Sequence, residues 1–254
     1  MFLNNKKAIV TGGSSGIGQA IAIAYAKEGA NLVISYEKNQ EGAEKTCKEI
    51  QALGRKCHAV KVNFADQYAL KAFVHKALDF LGGVDILVNN AGTLSRCNDF
   101  LSISIDELDF IHHINFRAPF ILTQLIAEQM KIQGNGGSII NVSSISTRLY
   151  APGFAHYECS KAALNKLTEA SAGELAEYQI RVNAISPGLI ATNINADQRE
   201  KNPALWTRRT SKIPLKRSGL PSDLIPWAIL LASDQTAWTT GANIHVDGGM
   251  SVAS

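Results

Sequence analysis

Short apolar runs rich in β-branched residues alternate along the chain with longer segments that are apolar on one side. The short runs are predicted to be strands, over Lys7–Thr11, Asn31–Tyr36, Lys56–Val62, Val84–Asn89, Gly137–Ser143, Ile180–Ser186 and Ala242–Val246. The longer segments are predicted to be helices, over Gly16–Glu28, Gln40–Leu53, Asp66–Phe80, Ser104–Lys131, Phe154–Glu177 and Pro221–Ser233. Strands that are apolar throughout, as in Ile86-Leu87-Val88, are typical of a parallel sheet covered on both faces. The pattern therefore predicts one α/β domain over residues 1–254, built on an open, doubly wound parallel sheet.

One stretch, from about Gly188 to Gly219, lacks a clear period and is long for a loop in a compact domain. Loops of this length commonly act as lids or are disordered. Basic residues outnumber Asp197 and Glu200 there, at Arg199, Lys201, Arg208, Arg209, Lys212, Lys216 and Arg217. This charge would steer an anionic substrate, or it would simply form the solvated face of a mobile lid. We expect a substrate lid over about residues 188–219.

The composition is that of an ordinary globular protein, with 254 residues of which 46% are hydrophobic and 19% charged. The net charge of +3 is too small to indicate nucleic-acid binding. The segment Met1–Lys7 lacks the apolar core of a signal peptide, and no apolar stretch is long enough to span a bilayer. We therefore expect a cytoplasmic protein that acts on a small molecule and has neither a membrane nor a nucleic acid as its partner.

The cysteines and histidines indicate no metal site. The cysteines Cys47, Cys57, Cys97 and Cys159 show no CxxC spacing, and the histidines form no HxxxH pair or His/Cys cluster. We expect free thiols in a reducing cytosol.

A glycine-rich turn, Thr11–Gly18, follows the first predicted strand and leads into the first predicted helix. Gly12 permits a tight turn, Gly16 leaves room for backbone to approach a pyrophosphate, and Gly18 lets helix and strand pack closely. The helix N-terminus offers N–H groups and partial positive charge to phosphates, and two serines add hydroxyl donors. In this strand–turn–helix context the turn predicts dinucleotide binding. The expected contacts are Gly12, Ser14, Ser15, Gly16, Ile17 and Gly18.

The end of the second strand bears on the choice between NAD and NADP. An acidic residue there would bind the ribose hydroxyls of NAD, and an arginine would bind the extra phosphate of NADP. Tyr36 stands where the acid is expected, and it is followed by Glu37 and Lys38. Glu37 would repel a 2′-phosphate, whereas Ser35 and Lys38 could hold one. Either NAD or NADP therefore stays open as the cofactor.

Tyr157 and Lys161 form the principal catalytic candidate, and Ser144 lies thirteen residues before the tyrosine. Residues at i and i+4 share a helix face, about 6 Å apart at Cβ. An ammonium beside a phenol stabilises the phenolate and lowers the tyrosine pKa from its usual value of about 10. Such a phenol can exchange a proton with an alcohol or carbonyl oxygen.

Together with Asn89-Asn90-Ala91-Gly92 and Pro187-Gly188, these motifs resemble those of the short-chain dehydrogenase/reductase family. The resemblance covers essentially the whole chain, from Lys7 to Asp247-Gly248-Gly249. It implies a Rossmann-type sheet with strand order 3-2-1-4-5-6-7 and a homotetramer. It also implies a catalytic tetrad of Asn115, Ser144, Tyr157 and Lys161.

The resemblance assigns a role to each member of the tetrad. Hydride would pass between the nicotinamide and a carbinol carbon, while Tyr157 gives or takes the proton of the oxygen. Lys161 would lower the pKa of Tyr157 and bind the nicotinamide ribose. Ser144 would orient the reacting oxygen, and Asn115 would extend a proton relay through a water.

The resemblance implies further cofactor contacts beyond the turn. Asn63 stands where the family usually has an aspartate against the adenine, and its amide oxygen can still accept a hydrogen bond. Phe64 would offer its backbone N–H to the base, and Thr192 would hold the nicotinamide carboxamide. The full set comprises Tyr36, Asn63, Phe64, Asn90, Ala91, Gly92, Tyr157, Lys161, Pro187, Gly188, Ile190 and Thr192.

Three loops at the carboxyl ends of the strands, Thr93–Asp99, Ile145–His156 and Ile190–Lys216, are expected to select the substrate. Within the family, Pro187–Ala196 and Phe154–Tyr157 resemble bacterial glucose 1-dehydrogenases, which favours an aldose or polyol substrate. Those enzymes carry an acidic residue just after the NNAG turn, where this chain has Thr93-Leu94-Ser95. The apolar mouth that Leu94, Leu149, Tyr150 and Phe154 would form is also more apolar than a sugar requires. The expected substrate contacts are Ser144, Leu94, Leu149, Phe154 and Tyr157.

Two alternatives stay open. A 3-oxoacyl-carrier-protein reductase would present basic residues to an acidic carrier, and here Glu174–Gln179 is acidic, although Lys131 and the lid are basic. A protein that binds dinucleotide and regulates without turnover typically loses the tyrosine or the lysine, and both are present at Tyr157 and Lys161.

Overall fold

A computed structural model describes residues 1–253, apart from the side chains of residues 194 and 198. The described strands form one parallel sheet in the order 3-2-1-4-5-6-7, which confirms the predicted fold class. The strands are β1 Lys7–Val10, β2 Asn31–Tyr36, β3 Cys57–Lys61, β4 Ile86–Asn89, β5 Gly137–Val142, β6 Ile180–Pro187 and β7 Asn243–Val246. The predicted strand ends therefore differ from the observed ones by two residues at most.

Helices cover both faces of the sheet. They are α1 Gly16–Lys27, α2 Gln40–Ala52, α3 Gln67–Leu81, α4 Ile105–His112, α5 Ala118–Gln133, α6 Ala155–Leu175, α7 Ala196–Lys201, α8 Pro203–Ser211 and α9 Ile225–Ala232. Successive strand residues point to opposite faces. Ala8 and Val10 therefore enter the core beneath α1, α2 and α9, whereas Ile9 enters the core beneath α3, α5 and α6. Burial on both faces explains why the strands are apolar throughout.

The single long helix predicted over Ser104–Lys131 is divided in the structure. Ser104 caps α4 by accepting a hydrogen bond from the Glu107 N–H at 3.1 Å. A π-helical turn, His113–Arg117, separates α4 from α5. Asn115 lies in this turn and is fully buried. Such turns are often found at functional sites.

The stretch from Gly188 to Gly219, predicted to be irregular, contains the short helices α7 and α8. The start of α8 has an ordinary cap, because the Asn202 Oδ1 accepts a hydrogen bond from the Leu205 N–H at 3.0 Å. Pro203 is the first helical residue, a position that proline favours. The prediction of a loop without secondary structure was therefore wrong here.

The four cysteines are free thiols, as predicted, and two of them, Cys47 and Cys57, are buried. No helix within residues 1–253 is both long enough and apolar enough to cross a membrane.

Candidate active site

The glycine turn after β1 has the backbone geometry that its sequence predicts. Gly12 and Gly16 have φ of +67° and +58°, in the left-handed region that favours glycine. A Cβ on Gly18 would overlap the Asn90 Nδ2 and the Gly12 carbonyl oxygen. The close packing of helix and strand expected at Gly18 is therefore present.

The end of β4 is hydrogen-bonded to the end of β1. The Asn90 Nδ2 donates to the Thr11 carbonyl oxygen at 2.8 Å. The backbone N–H groups of Asn90 and Ala91 both donate to the Thr11 Oγ1 at 2.9 Å. Asn90, which was predicted to contact the cofactor, therefore uses its side chain to hold the glycine turn in place.

Ser35 supports the same turn from below and cannot serve as the phosphate ligand considered above. Its side chain is fully buried, and its Oγ accepts a hydrogen bond from the Gly12 N–H at 3.0 Å. Its carbonyl oxygen accepts from the Gly13 N–H at 2.9 Å. Tyr36 is partly buried and packs against the core beneath α1, whereas Lys38 is exposed.

The two residues predicted to lie against the adenine, Asn63 and Phe64, follow β3. The Asn63 Oδ1 already accepts a hydrogen bond from the Ala65 N–H at 3.0 Å. The Phe64 ring is buried in the core beneath α3, which fixes the backbone at this position. Asn63 therefore has one of its two oxygen lone pairs left for another donor.

The glycine turn fits the pyrophosphate of a dinucleotide. The side chain of Ser15, which precedes α1, caps no N–H group of that helix within the described residues. The first N–H groups of a helix have no intrahelical partner and attract anions. A Cβ on Gly16 would meet Thr192 at 3.6 Å and no other described atom within 4 Å. The structure thus brings together the turn and the residue predicted to bind the nicotinamide end.

The residues predicted to bind the cofactor at the end of β6 and just after it have other contacts as well. The Gly188 N–H donates to the Val246 carbonyl oxygen at 3.0 Å, and a Cβ at Gly188 would approach the Asp247 Cα to 2.8 Å. Pro187 ends β6. Ile190 is buried in the core beneath α1. The Thr192 carbonyl oxygen accepts a hydrogen bond from Arg199 at 3.1 Å.

Ser144 and Tyr157 come together at the carboxyl end of β5. Burial raises the pKa of Tyr157, and the nearby Ser144 and Ser146 hydroxyls lower it to a smaller extent. The net pKa therefore lies above the usual value of tyrosine. This corrects the sequence-based expectation that the neighbouring ammonium lowers it, because packing around the phenol has the larger effect.

Lys161 lies on the same face of α6 as Tyr157, but its amine is held by the sheet. The Nζ donates to the Val142 carbonyl oxygen at 2.9 Å. Burial lowers the pKa of Lys161 to about 8. The Nζ also lies 3.5 Å from the place that a Cβ on Gly92 would take. A Cβ there would be in ordinary contact with the amine but would crowd the Asn115 Oδ1 at 3.2 Å.

Asn115 ties the loop after β4 to α6. Its Oδ1 accepts from the Thr93 N–H at 2.8 Å, and its Nδ2 donates to the Thr93 carbonyl oxygen at 2.9 Å. The Nδ2 also donates to the Ser160 Oγ at 3.1 Å. The Asn115 Oδ1 and the Lys161 Nζ both lie against Gly92. The structure thus brings all four tetrad residues to one place, with the Asn115 side chain holding loop and helix together.

The loop after β4 is fastened to the segment before Tyr157, where the sequence signals no contact. The Ser95 Oγ lies 2.8 Å from the Nε2 of His156, whose ring is buried. The Cys97 N–H donates to the Gly153 carbonyl oxygen at 3.1 Å. The Arg96 guanidinium carbon lies 6.0 Å from the centre of the Phe154 ring. We call this set of contacts the loop clamp.

The predicted apolar mouth surrounds the loop clamp. Leu94 is 44% exposed and Tyr150 is 82% exposed. Leu149 and Phe154 are partly buried. The predicted substrate contacts Leu94, Leu149 and Phe154 therefore lie on the two clamped loops.

The chain is similar to known dehydrogenases and reductases. A protein-family model described as Enoyl-(Acyl carrier protein) reductase matches residues 12–251. The chain is 39% identical to an L-rhamnose 1-dehydrogenase (NAD(P)(+)) of Sphingomonas sp. (strain SKA58), over 99% of this chain and 98% of that protein. It is 37% identical to a 3-oxoacyl-(acyl-carrier-protein) reductase of Staphylococcus aureus, over 96% of this chain and 98% of that protein.

A solved structure is also similar. The crystal structure of a short-chain type dehydrogenase/reductase from Mycobacterium marinum superposes with a TM-score of 0.91 and 35% identity. The match covers 98% of this chain and 96% of that one.

Proposed function

The chain belongs to the short-chain dehydrogenase/reductase family, and we propose that it is an NAD(P)-dependent oxidoreductase that acts on the CH–OH group of an aldose or polyol. The similarity to an L-rhamnose 1-dehydrogenase (NAD(P)(+)) supports both the substrate class and the cofactor. A glucose 1-dehydrogenase activity in particular stays a prediction from sequence.

The observation that carries this proposal is the meeting of a phenol, a hydroxyl and an amine at the carboxyl end of β5. Hydrogen bonding to Ser144 acts on the Tyr157 phenol, and the Lys161 Nζ lies 2.9 Å from the carbonyl oxygen that ends the strand. All three groups lie at the sheet edge that also carries the glycine turn. In α/β sheets of this kind, ligands bind at the carboxyl ends of the strands.

The chain's own residues bind the dinucleotide and exchange the proton. The glycine turn, with Gly12 and Gly16, binds the pyrophosphate, and Thr192 holds the carboxamide end. A bound NAD or NADP supplies the nicotinamide that accepts or donates hydride. In oxidation, Tyr157 would first release its own proton to solvent and then, as the phenolate, take the proton of the substrate hydroxyl. In reduction the phenol would give its proton to the carbonyl oxygen, and in both directions Ser144 would donate a hydrogen bond to the same oxygen. Lys161 binds the ribose next to the nicotinamide.

Both NAD and NADP fit the end of β2. The Ser35 Oγ already accepts a hydrogen bond from the Gly12 N–H, so Lys38 is the nearby group that would bind a 2′-phosphate. Glu37 beside it is exposed and opposes that phosphate. Since these two charges offset each other, we propose that the enzyme accepts either cofactor.

A 3-oxoacyl-carrier-protein reductase is the second candidate, which the similarity to the Staphylococcus aureus enzyme favours. Such an enzyme would present free cations to its acidic carrier. Here the Lys131 Nζ donates to the Tyr178 hydroxyl at 3.0 Å and lies 4.2 Å from the centre of that ring. One of the three Lys131 donors is thus used within the chain, which makes Lys131 a poorer anchor for an acidic carrier.

We also propose that the enzyme is a homotetramer. Apolar side chains of α4 and α5 are partly exposed, with Ile105 at 69%, Phe110 at 47% and Phe120 at 40%. Pairing of these helices with those of a second copy would cover them. Sedimentation equilibrium of the purified chain tests this proposal, and a mass of one or two chains across the concentration range would refute it.

Substitution of Tyr157 by Phe tests the proposed chemistry. The purified enzyme is first screened against aldoses, polyols, acyl thioesters and ketones, each with both cofactors. We expect Tyr157→Phe to lower turnover of the best substrate at least about 100-fold while cofactor affinity stays nearly unchanged, because only the proton exchange is lost. Near wild-type turnover would remove Tyr157 from the mechanism. Cofactor binding without conversion of any compound would favour the non-catalytic regulator.

A further inference from the structure

A second serine lies close to the catalytic candidates and has no assigned role. Ser146 is in the 3₁₀ turn Ile145–Thr147, which directly follows Ser144. Its Oγ is shielded from solvent and has no hydrogen-bond partner within the part of the chain that the structure describes. A buried hydroxyl without a partner is unfavourable, and most such groups are satisfied in native proteins. A partner supplied by a ligand would remove this cost.

The hydrogen bonds of the neighbouring serine show why Ser146 is different. The Ser144 Oγ accepts from the Ser146 N–H at 3.1 Å, and the Thr147 Oγ1 donates to the Ser144 carbonyl oxygen at 3.1 Å. A hydroxyl has one donor and two acceptor positions. Ser144 therefore has an acceptor position filled and its donor left for the reacting oxygen. Ser146 has its donor and both acceptor positions available.

The Ser146 hydroxyl lies on the same side of the turn as the reacting group. It is close enough to the Tyr157 phenol to lower the pKa of that phenol, as Ser144 also does. It is nevertheless not aligned on the phenol in a formed hydrogen bond. The hydroxyl is therefore near the reacting oxygen but uncommitted, and a second oxygen next to the reacting one would be within its reach.

We infer that Ser146 binds a substrate hydroxyl on the carbon adjacent to the reacting carbon, so that the enzyme selects substrates with two neighbouring oxygens. This inference rests on the proposed function, because it takes Ser144 and Tyr157 to hold the reacting oxygen. It narrows the substrate class to aldoses and other α-hydroxy compounds. A site built to hydrogen-bond a substrate hydroxyl discriminates against the analogue that lacks it.

The test compares an aldose with its 2-deoxy analogue in matched variants. The substrates are L-rhamnose and D-glucose, each beside its 2-deoxy form, and the enzymes are wild type, Ser146→Ala and Ser146→Thr. We expect Ser146→Ala to lower kcat/KM for the better aldose about 10- to 100-fold, as for the loss of one buried hydrogen bond. The 2-deoxy form should lose much less, because for it only the small effect of Ser146 on the Tyr157 pKa is removed. Ser146→Thr keeps the hydroxyl and should keep most of the preference.

Ser171→Ala is the matched control. The Ser171 Oγ donates within α6 to the Leu167 carbonyl oxygen, so this variant should leave both values of kcat/KM unchanged. Equal losses on both sugars with Ser146→Ala would mean that Ser146 acts on the phenol, and this would overturn the inference. No loss on either sugar would overturn it too.

The failure of this inference can be told apart from failure of the proposed function. The inference depends on the ratio between two substrates, whereas the function depends on the effect of Tyr157→Phe. If the wild type reduces ketones or acyl thioesters but oxidises neither sugar, the neighbouring-oxygen inference is rejected and the oxidoreductase stands.

Discussion

The glycine turn and the substrate entrance lie at the same edge of the sheet, yet they are held in different ways. The turn is fixed through its backbone groups. The Gly12 N–H donates a hydrogen bond to the Ser35 Oγ, and the Thr11 carbonyl oxygen accepts one from the Asn90 side chain. The entrance is fixed mainly by the loop clamp, in which the Ser95 and His156 side chains meet at 2.8 Å. On the cofactor side, buried side chains thus bond to backbone groups of the turn itself, while on the substrate side two side chains of separate loops bond to each other and can change without altering the fold.

Lys161 lies at the boundary between these two regions, and its substitution should have the largest effect on the free energy of unfolding. In the cofactor-free protein, burial lowers the pKa of Lys161 from the usual 10.5 to about 8. Between these two pH values the unfolded chain binds more protons than the folded one, so wild-type stability rises with pH. Lys161→Met lacks this dependence. We therefore expect wild type to gain about 3 kcal/mol relative to Lys161→Met as pH rises from below 8 to 10.5.

Urea unfolding of both proteins at several pH values gives this difference. Other titrating groups are shared by both proteins, so they largely cancel in the comparison. If the difference in unfolding free energy stays constant across the window, Lys161 is not buried as the structure has it.

The second prediction concerns the backbone-fixed region. A Cβ on Gly18 would overlap the Gly12 carbonyl oxygen and the Asn90 amide, neither of which can move without breaking the turn. Gly18→Ala should therefore destabilise the protein by about 1–3 kcal/mol and weaken cofactor binding. Thermal unfolding and cofactor titration measure the two effects.

Gly173→Ala is the matched control in helix α6, because its Cβ would meet no described atom within 4 Å. It should stabilise the protein by up to about 1 kcal/mol, since alanine favours a helix more than glycine does. Similar effects of the two substitutions would show that the turn is less rigid than its hydrogen bonds indicate.

The smallest expected effect is in the loop clamp. Ser95→Ala removes the hydroxyl that meets the His156 Nε2 and should loosen the loop after β4. We expect KM for the substrate to rise about fivefold, corresponding to the roughly 1 kcal/mol of one hydrogen bond, with kcat nearly unchanged. Steady-state kinetics measure both.

Ser102→Ala is its control, because the Ser102 side chain bonds only within its own turn, to the Asp99 carbonyl oxygen and N–H. It should leave KM unchanged. A fall in kcat with unchanged KM for Ser95→Ala would instead give the clamp a part in the chemical step.

The contrast between the glycine turn and the loop clamp also explains which features could be predicted from the sequence. Glycines such as Gly12 and Gly16 mark left-handed backbone directly, and continuous apolar runs mark strands buried on both faces. The Ser95–His156 contact joins residues far apart in the chain, and no local pattern marks it. The Tyr157 pKa depends on burial, which neighbouring residues in sequence do not determine.

Two local features, the start of α8 and the π-helical turn before α5, were not predicted. Asn202 before Pro203 is an ordinary helix start, so α8 could have been predicted from these two residues. The π-helical turn at His113–Arg117 has no such mark, because its residues would suit an α-helix equally well. The predicted helix therefore had the correct extent there but the wrong internal geometry.

That π-helical turn constrains how this segment of the chain can vary in length. Each residue of an α-helix advances the chain by about 100° around its axis. A π-helical turn contains about one residue more than an α-helical turn, so deleting one residue between His113 and Arg117 would restore regular winding and close the wide turn in which Asn115 lies. Asn115 would then swing away from Thr93 and Ser160, to which it now donates hydrogen bonds. Related sequences that keep this asparagine should therefore align through the segment without gaps.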